Sequence, residues 1–426
     1  MKSKKVLLML LTVLLAERGY AKFEAHEWGT FTSVVDSTGV TQNGMYHEDE
    51  ALPEFVHGFG ELRREVKPVT PPIRPPNPPC HSKICFDQAE LSANQITQKM
   101  ETPVIYFYSD VNQRVDINVK FPEGIITETY PGPVMTFPTM QDPHIIGNGE
   151  STFSVNILPA KVGPVPYANP ENIYSHARNV ASNLVSSGAE LEKFIFYRGL
   201  GRFQPKISIT SANGNLKIGN LNNGKVRPQM AFLIHVDEAG EGQLLSLESV
   251  KTEAEVLVSR VQLNDLKTHS IQSSPFIIKG EQARGKLIDE LIKSGLFKDE
   301  AIAMINTWEN GYLKVPGLRL LYILPRTEVD EVLPLTLNPL PEKLVRTFVA
   351  RMEILLDTEE QRILNEIETQ RDKFRPSSLG RFAEPILHRI KAVAAKTQNP
   401  DSQLLNTLDQ LIKEAAVSFE AKASVH

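Results

Sequence analysis

Residues 101–124, ETPVIYFYSDVNQRVDINVKFPEG, decide the fold of this chain. Residues 104–108 form an unbroken apolar run of strand-favouring side chains, which is typical of a strand covered on both faces. After a polar turn at 110–113 the pattern changes to strict alternation, so that one face is apolar and the other polar. The apolar face carries Val115, Ile117, Val119 and Phe121, and the polar face carries Arg114, Asp116, Asn118 and Lys120. The stretch predicts an inner strand paired with a half-exposed neighbour, the start of an antiparallel sheet.

Short strand patterns continue over residues 99–265, separated by Gly, Pro and Asn. Residues 207–210 and 216–218 flank Asn213-Gly214, a strong hairpin signal because both residues tolerate a positive φ. Residues 231–236 and 243–250 flank a second turn. One helix is predicted at 171–187. The region is predicted to be a β-sandwich-like domain.

Beyond residue 266 the apolar period becomes helical, which predicts a mixed α/β and then helical C-terminal region over 266–426. Residues 318–324 alone return to a strand pattern. Helices are predicted at 283–292, 299–308, from Pro341, from Thr358, at 383–396 and at 401–420. The fold class is therefore α+β, an antiparallel β-sandwich-like body with a smaller mixed and helical C-terminal part, and 426 residues suggest two or three domains.

Residues 1–21 have the pattern of a secretory signal peptide. Three lysines precede an apolar run, and Gly19 and Ala21 place small residues where a signal peptidase reads. The alternatives are a buried helix or a retained anchor, but the apolar run is too short to span a bilayer. The sequence thus predicts a secreted or periplasmic protein with no transmembrane segment after cleavage.

The next segment, 22–98, is predicted to hold a strand at 28–35, an acidic loop and a proline-rich arm. The two cysteines of the chain, Cys80 and Cys85, follow the prolines of 68–79 directly. In an oxidising compartment they predict one local disulfide that pins this arm. The alternative is a metal site with His81, although two thiols and one imidazole fall short of four zinc ligands.

Histidines and carboxylates are concentrated in the same segment. His26, His47 and His57 lie close in sequence to several Glu and Asp residues, and these are the ligand types of a catalytic metal. No pair of them has helical i, i+4 spacing, so a site requires separate loops to meet. The alternative is a solvated acidic loop with His26 packed beside Trp28.

Three charged residues lie at the predicted ends of apolar strands, where functional loops usually attach. Glu101 precedes one strand, and Arg198 and Arg326 follow two others. An arginine fork at such a place would hold a carboxylate or phosphate bidentately. The alternative is a structural ion pair between Glu101 and one arginine.

Composition and motifs exclude several classes of function. The formal net charge of −5 becomes more negative once residues 1–21, with four basic residues and one acidic residue, are removed. A mildly acidic chain is a poor partner for nucleic acid or an anionic membrane surface. The sequence contains no HExxH, GxSxG, P-loop, GxGxxG or CxxC motif.

Several stretches together resemble a family of predicted secreted bacterial proteins whose activity is uncharacterised. They are HEWGTFTS at 26–33, METPVIYFY at 100–108, FYRG at 196–199, LRLLYILPR at 318–326, DEVLPL at 330–335 and GRFAEP at 380–385. The resemblance carries no activity or cofactor, but it directs attention to the chemically capable side chains inside these stretches. Those side chains are His26, Glu27, Trp28, Glu101, Arg198 and Arg326.

Three functions are compatible with these observations. The first is a non-catalytic exported protein that binds an extracellular ligand or an envelope partner, and the second is a secreted or periplasmic hydrolase, with or without a metal. The third is a purely structural envelope component. The sequence leaves open whether the protein is an enzyme, predicts no cofactor, and does not exclude a divalent metal at the N-terminal histidines.

Overall fold

The computed structural model describes residues 22–45, 47, 50, 52–58, 96–137, 147–167, 169–220, 227–247, 255–268, 277–397 and 399–423. The predicted signal peptide, the proline-rich arm and the pair Cys80 and Cys85 lie outside the described residues. They therefore stay predictions.

The described residues form many strands and fewer helices, as the α+β class predicts. The strands are β1 (Phe23–Val35), β2 (His57–Gly58), β3 (Gln98–Ser109), β4 (Gln113–Phe121), β5 (Gly124–Tyr130), β6 (Met135–Phe137), β7 (Gly149–Leu158), β8 (Leu184–Ser187), β9 (Glu190–Glu192), β10 (Ile195–Gly201), β11 (Ile207–Ala212), β12 (Asn215–Asn220), β13 (Ala231–Val236), β14 (Gly242–Ser246), β15 (Glu255–Val258), β16 (Ile277–Lys279), β17 (Gly317–Ile323), β18 (Leu335–Asn338) and β19 (Lys343–Ile354). The α-helices are α1 (Arg260–Thr268), α2 (Gly280–Lys293), α3 (Lys298–Glu309), α4 (Arg326–Val332), α5 (Asp357–Thr369), α6 (Ala383–Ala395) and α7 (Ser402–Ala423).

Three sheets organise these strands. The largest has ten strands in the order β16-β14-β13-β17-β19-β1-β3-β10-β5-β2. A six-stranded sheet has the order β18-β4-β7-β8-β9, with β6 paired to β7, and a three-stranded sheet has the order β11-β12-β15. Most pairs are antiparallel, but β1 runs parallel to β19 at the centre of the largest sheet.

The stretch at 101–124 forms both predicted strands, but they do not pair with each other. β3 lies between β1 and β10 in the ten-stranded sheet, whereas β4 lies between β18 and β7 in the six-stranded sheet. The predicted hairpin is therefore wrong. The alternating apolar side chains of β4 belong to the same buried core as Ile105 and Phe107 of β3. Burial of an apolar face against another sheet replaces edge pairing and gives the sandwich its two layers.

The ten-stranded sheet is covered on both faces. One face contributes to the core shared with the two smaller sheets. The other face packs against α2, α3 and the 3₁₀ turn Ile173–Arg178, around Trp28, Val104 and Tyr106. Residues 104–107 of β3 are accordingly buried on both sides, as the apolar run predicts.

Two predicted helices are wrong. Residues 171–187 contain only the 3₁₀ turn Ile173–Arg178 followed by β8, and the helix predicted from Pro341 is the long strand β19. The apolar residues of β19 fit a helical stripe by their spacing, yet almost all of the strand is buried. A segment that is buried on both faces has no polar face, so its sequence pattern does not distinguish a helix from a strand. The β-branched residues of this segment and its pairing with neighbouring strands favour the strand.

The hairpins predicted around Asn213-Gly214 and at 237–242 are confirmed, as β11 with β12 and β13 with β14. The predicted helices near 283–292, 299–308, 358–369, 383–396 and 401–420 are confirmed as α2, α3, α5, α6 and α7. Helices α5 to α7 pack into a separate apolar core of their own. Among the described residues, no helix combines the length and apolar character that crossing a bilayer requires. The predicted boundary after residue 265 stays a prediction, and the largest sheet takes strands from both sides of it.

Gly29 in β1 lies opposite a bulge in β3. Trp28 pairs with Val104 and Thr30 pairs with Glu101, so two residues of β3, Thr102 and Pro103, lie opposite this single glycine. A Cβ atom at Gly29 would lie 2.7 Å from a ring carbon of Phe348 and 3.1 Å from the Cα of Pro103.

We expect Gly29→Ala to destabilise the protein by about 1–3 kcal/mol, because the core cannot take an added methyl group without moving Phe348 or the bulge. The measurement is urea unfolding. Gly285→Ala is the matched control, because a Cβ at Gly285 in α2 meets no atom within 4 Å and an alanine there should stabilise the helix slightly. Equal stability of the two variants would contradict the expectation.

Candidate functional site

A pocket lies where the ten-stranded sheet meets the 3₁₀ turn Ile173–Arg178 and the segment 52–56. Most of its lining is apolar, and six of the lining residues are aromatic. The residues that line it are Trp28, Leu52, Pro53, Phe55, Val56, Thr102, Val104, Tyr130, Tyr174, Ser175, Ala177, Arg178, Glu192, Phe194, Phe196 and Thr307.

The sheet supplies the floor of this pocket. Trp28 on β1, Val104 on β3 and Phe196 on β10 are neighbours across three adjacent strands, since Trp28 pairs with Val104 and Val104 pairs with Phe196. Tyr130 on β5 pairs with Phe196 and extends the row. Side chains at paired positions point to the same face, so strand register alone gathers four large groups at one place.

Thr102 is the unusual residue of the pocket. Its φ angle is +44°, a conformation that a β-branched residue rarely adopts, and it lies in the β3 bulge just before Pro103. Its hydroxyl is buried and makes no hydrogen bond within the described part of the chain. Strained backbone combined with an unsatisfied polar group is a feature of functional sites more often than of plain core. The sequence interpretation missed Thr102, although a proline inside a strand pattern is a signal for a bulge.

The charged groups at the pocket are already paired. Arg178 donates to both carboxylate oxygens of Glu192 and to the carbonyl of Pro166, and its guanidinium lies 5.3 Å from the centre of the Phe55 ring. Glu192 is buried. Because this pair is neutral overall, it gives the pocket no net charge with which to select an ion.

The structure separates the six residues that the sequence singled out. Trp28 lines the pocket, and Arg198 lies nearby, with its guanidinium 5.9 Å from the ring of the lining residue Tyr174 and 3.7 Å from Glu128. Arg198 lies within β10, not after it, and burial followed by the positive charge of Arg381 lowers its pKa to about 9.

Glu27 points to the opposite face of the sheet. It is fully buried, accepts a hydrogen bond at 2.5 Å from Arg346 on the neighbouring strand β19, and accepts another from the hydroxyl of Tyr197. Burial alone would lower the pKa of Arg346, but the charge of Glu27 raises it. This arrangement is a structural ion pair inside the sandwich core.

Glu101 also forms an internal ion pair. It lies within β3, and Arg381 from the 3₁₀ turn Pro376–Phe382 donates to it at 2.7 and 3.2 Å, while Thr32 donates a third hydrogen bond. Burial would raise the pKa of this carboxyl, but Arg381, Lys99 and the hydrogen bonds lower it to about 2. Glu101 does pair with an arginine, as the alternative interpretation predicted, but the arginine is neither Arg198 nor Arg326.

Arg326 is the first residue of α4 and is exposed to solvent. It donates to Asp330 one helical turn later at 2.8 Å and to the carbonyl of Leu344 at 2.9 Å. It lies on the surface and does not line the pocket.

The three histidines contact different carboxylates, and within the described residues no two of them contact the same one. His26 is fully buried, with Nδ1 2.9 Å from Glu300 and its ring between Tyr108 and Phe297. His47 Nε2 lies 3.0 Å from Glu384, and His57 contacts Glu190 beside the ring of Tyr130. Within the described ranges, no group of three or more His, Cys, Asp or Glu side chains is arranged to hold a metal ion.

Neither the protein-family models nor the curated proteins include one that matches this chain. The geometry of the pocket and of its neighbouring ion pairs is therefore the basis for assigning a function.

Proposed function

We propose that the protein binds a small apolar, aromatic molecule in the pocket beneath Ile173–Arg178. The observation that carries this proposal is the combination of an aromatic-lined pocket with the strained, unpartnered Thr102 at its wall. Small-molecule sites are mostly apolar and contain a few placed polar groups.

The pocket is built for binding more than for catalysis. Among its lining residues the one carboxylate, Glu192, is held by Arg178, so no general base with a reachable water is present in that set. The hydroxyl of Thr102 supplies a single directional contact, which suits a ligand with one hydroxyl or carbonyl group.

The proposal includes the cellular location of the protein, and it is weighed against the metal-assisted hydrolase. We infer that the protein is exported and meets its ligand outside the cytoplasm, which the lysines and apolar run of residues 1–21 support. The metal-assisted hydrolase stays a prediction, and the separation of His26, His47 and His57 onto different carboxylates gives it no support among the described residues.

Calorimetric titration of the chain with 4-ethylphenol and with ethylbenzene tests the binding proposal. We expect both to bind and the phenol to bind more tightly, because its hydroxyl satisfies Thr102. Thr102→Val should reduce that preference about fivefold, the equivalent of about 1 kcal/mol for one hydrogen bond, with little loss of ethylbenzene affinity. A preference unchanged by Thr102→Val would remove Thr102 from the site.

The Ser175→Trp variant tests whether the two probe molecules bind in this pocket. Ser175 lies at the wall of the pocket and is partly exposed, so an indole there fills the cavity without entering the core. We expect at least about a tenfold loss of affinity for both probes. Val162→Trp is the control, because Val162 is 88 % exposed and is not a lining residue. Equal affinities of the two tryptophan variants would show that the probes bind elsewhere.

A further inference from the structure

The aromatic pocket is nearly closed in this structure. The cavity that it encloses is about 30 Å³, which is room for one or two water molecules and not for an aromatic ring. A larger ligand can therefore enter only if part of the lining moves. The sheet side of the pocket is fixed, because Trp28, Val104 and Phe196 are buried and their strands are paired with one another.

The segment 52–56 is the part of the lining that can move. It forms a turn closed by an internal hydrogen bond, from the backbone nitrogen of Val56 to the carbonyl of Pro53 at 3.1 Å. Both of these residues line the pocket, together with Leu52 and Phe55. Phe55 is only half-buried, unlike the aromatic residues on the sheet side. Moving it out therefore exposes less new apolar surface than moving a fully buried residue would.

The ring of Phe55 occupies a site that suits any aromatic ring. It meets the Tyr130 ring in an edge-to-face contact, with centroids 4.8 Å apart and planes at 62°. The guanidinium carbon of Arg178 lies 5.3 Å from the centre of the Phe55 ring. Both contacts are the ones that the quadrupole of an aromatic ring favours. Arg178 is held independently by Glu192 and by the carbonyl of Pro166, so it should stay in place when the Phe55 ring leaves.

We propose that Phe55 is an internal ligand of the pocket, and that an external aromatic molecule binds by displacing the Phe55 ring and taking its place between Tyr130 and Arg178. This inference rests on the proposed function. It adds the position of the ligand ring, a preference for aromatic over aliphatic molecules, and competition from the chain itself. The competition lowers the apparent affinity, because only the fraction of molecules with the Phe55 ring displaced accepts the ligand.

Calorimetric titration of the wild type, Phe55→Ala and Phe137→Ala with ethylbenzene tests this proposal. We expect Phe55→Ala to bind ethylbenzene about tenfold more tightly than the wild type does, because the competing ring is gone. Phe137→Ala is the matched control and should bind as the wild type does, because Phe137 on β6 is 47% exposed and does not line the pocket. Ethylcyclohexane has no π system and should bind to Phe55→Ala about fivefold less tightly than ethylbenzene.

The outcomes separate this proposal from the proposed function. If Phe55→Ala binds ethylbenzene no more tightly than the wild type does, the displacement of Phe55 is overturned and the proposed function stands. Equal affinities of Phe55→Ala for ethylbenzene and ethylcyclohexane overturn the preference for an aromatic ring. If none of the three proteins binds ethylbenzene, the proposed function fails and this proposal fails with it.

Crystals of the wild type soaked with 4-bromoethylbenzene provide a measurement that does not depend on the folding of Phe55→Ala. The anomalous scattering of bromine is expected to locate the ligand, with its ring between Tyr130 and Arg178 and the Phe55 ring displaced from its present position. A ligand bound elsewhere, or a bound ligand beside an unmoved Phe55 ring, also overturns the proposal.

Discussion

Replacing Arg346 by methionine is expected to lower the free energy of unfolding by about 3–5 kcal/mol, because it breaks a buried ion pair. Methionine keeps much of the apolar volume but leaves the carboxylate of Glu27 buried with only the hydroxyl of Tyr197 as a partner. Arg346 also donates to Asp330, a partly exposed contact that adds little, and to the buried carbonyl of Leu333, whose hydrogen bond the substitution removes as well. Urea unfolding at neutral pH measures the loss.

Two further variants show whether the unpaired charge is the cause. The double variant Glu27→Gln with Arg346→Met should recover about 1–3 kcal/mol of the loss, since glutamine is neutral and can still accept from Tyr197. Arg326→Met removes an arginine from an exposed pair with Asp330 and should cost less than about 1 kcal/mol. A double variant no more stable than Arg346→Met would show that packing, and not charge, dominates.

Replacing Glu101 by glutamine is expected to cost about 3 kcal/mol at pH 7 and much less at pH 3. The pKa of Glu101 falls from 4.5 to about 2 on folding, so the ionised form stabilises the folded state. That contribution is complete above about pH 5 and is lost as the pH falls through 4.5 towards 2, because the unfolded chain then binds a proton that the folded chain does not.

The measurement is the difference in unfolding free energy between wild type and Glu101→Gln, determined at intervals from pH 7 to pH 3. The difference should narrow as the pH falls. Asp116→Asn, which removes an exposed carboxylate on β4, is the control and should show a small difference at every pH. If the difference in unfolding free energy between wild type and Glu101→Gln stays constant across this pH range, the depressed pKa of Glu101 is contradicted.

Local patterns in the sequence were sufficient for much of the fold. The alternation of apolar and polar residues in β4 predicted its buried face correctly. Asn213-Gly214 forms the predicted hairpin, with φ angles of 52° and 73°. Local patterns did not predict which strands pair with each other. β3 and β4 are adjacent in sequence but belong to different sheets. The sheet that each strand joins depends on partners that are distant in sequence, such as β18, whose Leu335 pairs with Val119 of β4.

The site was predictable only in part. Trp28 was singled out and does line the pocket, but the charged residues beside it in the sequence are structural. Glu27 follows His26 directly, yet the two side chains point to opposite faces of β1, because successive residues of a strand alternate. Thr102 was missed because the predicted strand began at Val104, whereas β3 continues through Thr102 and Pro103 as a bulge.

The parallel pairing of β1 with β19 has a consequence for how the nascent chain folds. The contact between Glu27 and Arg346 spans 319 residues, so β1 is synthesised long before the strand that will cover one of its edges. High contact order slows folding, and an apolar strand with an open edge recruits other chains. The largest sheet can be completed only after β19 has left the ribosome. A chain truncated before Lys343 lacks β19, so the edge of β1 that β19 covers would stay exposed. Such a chain should aggregate instead of folding.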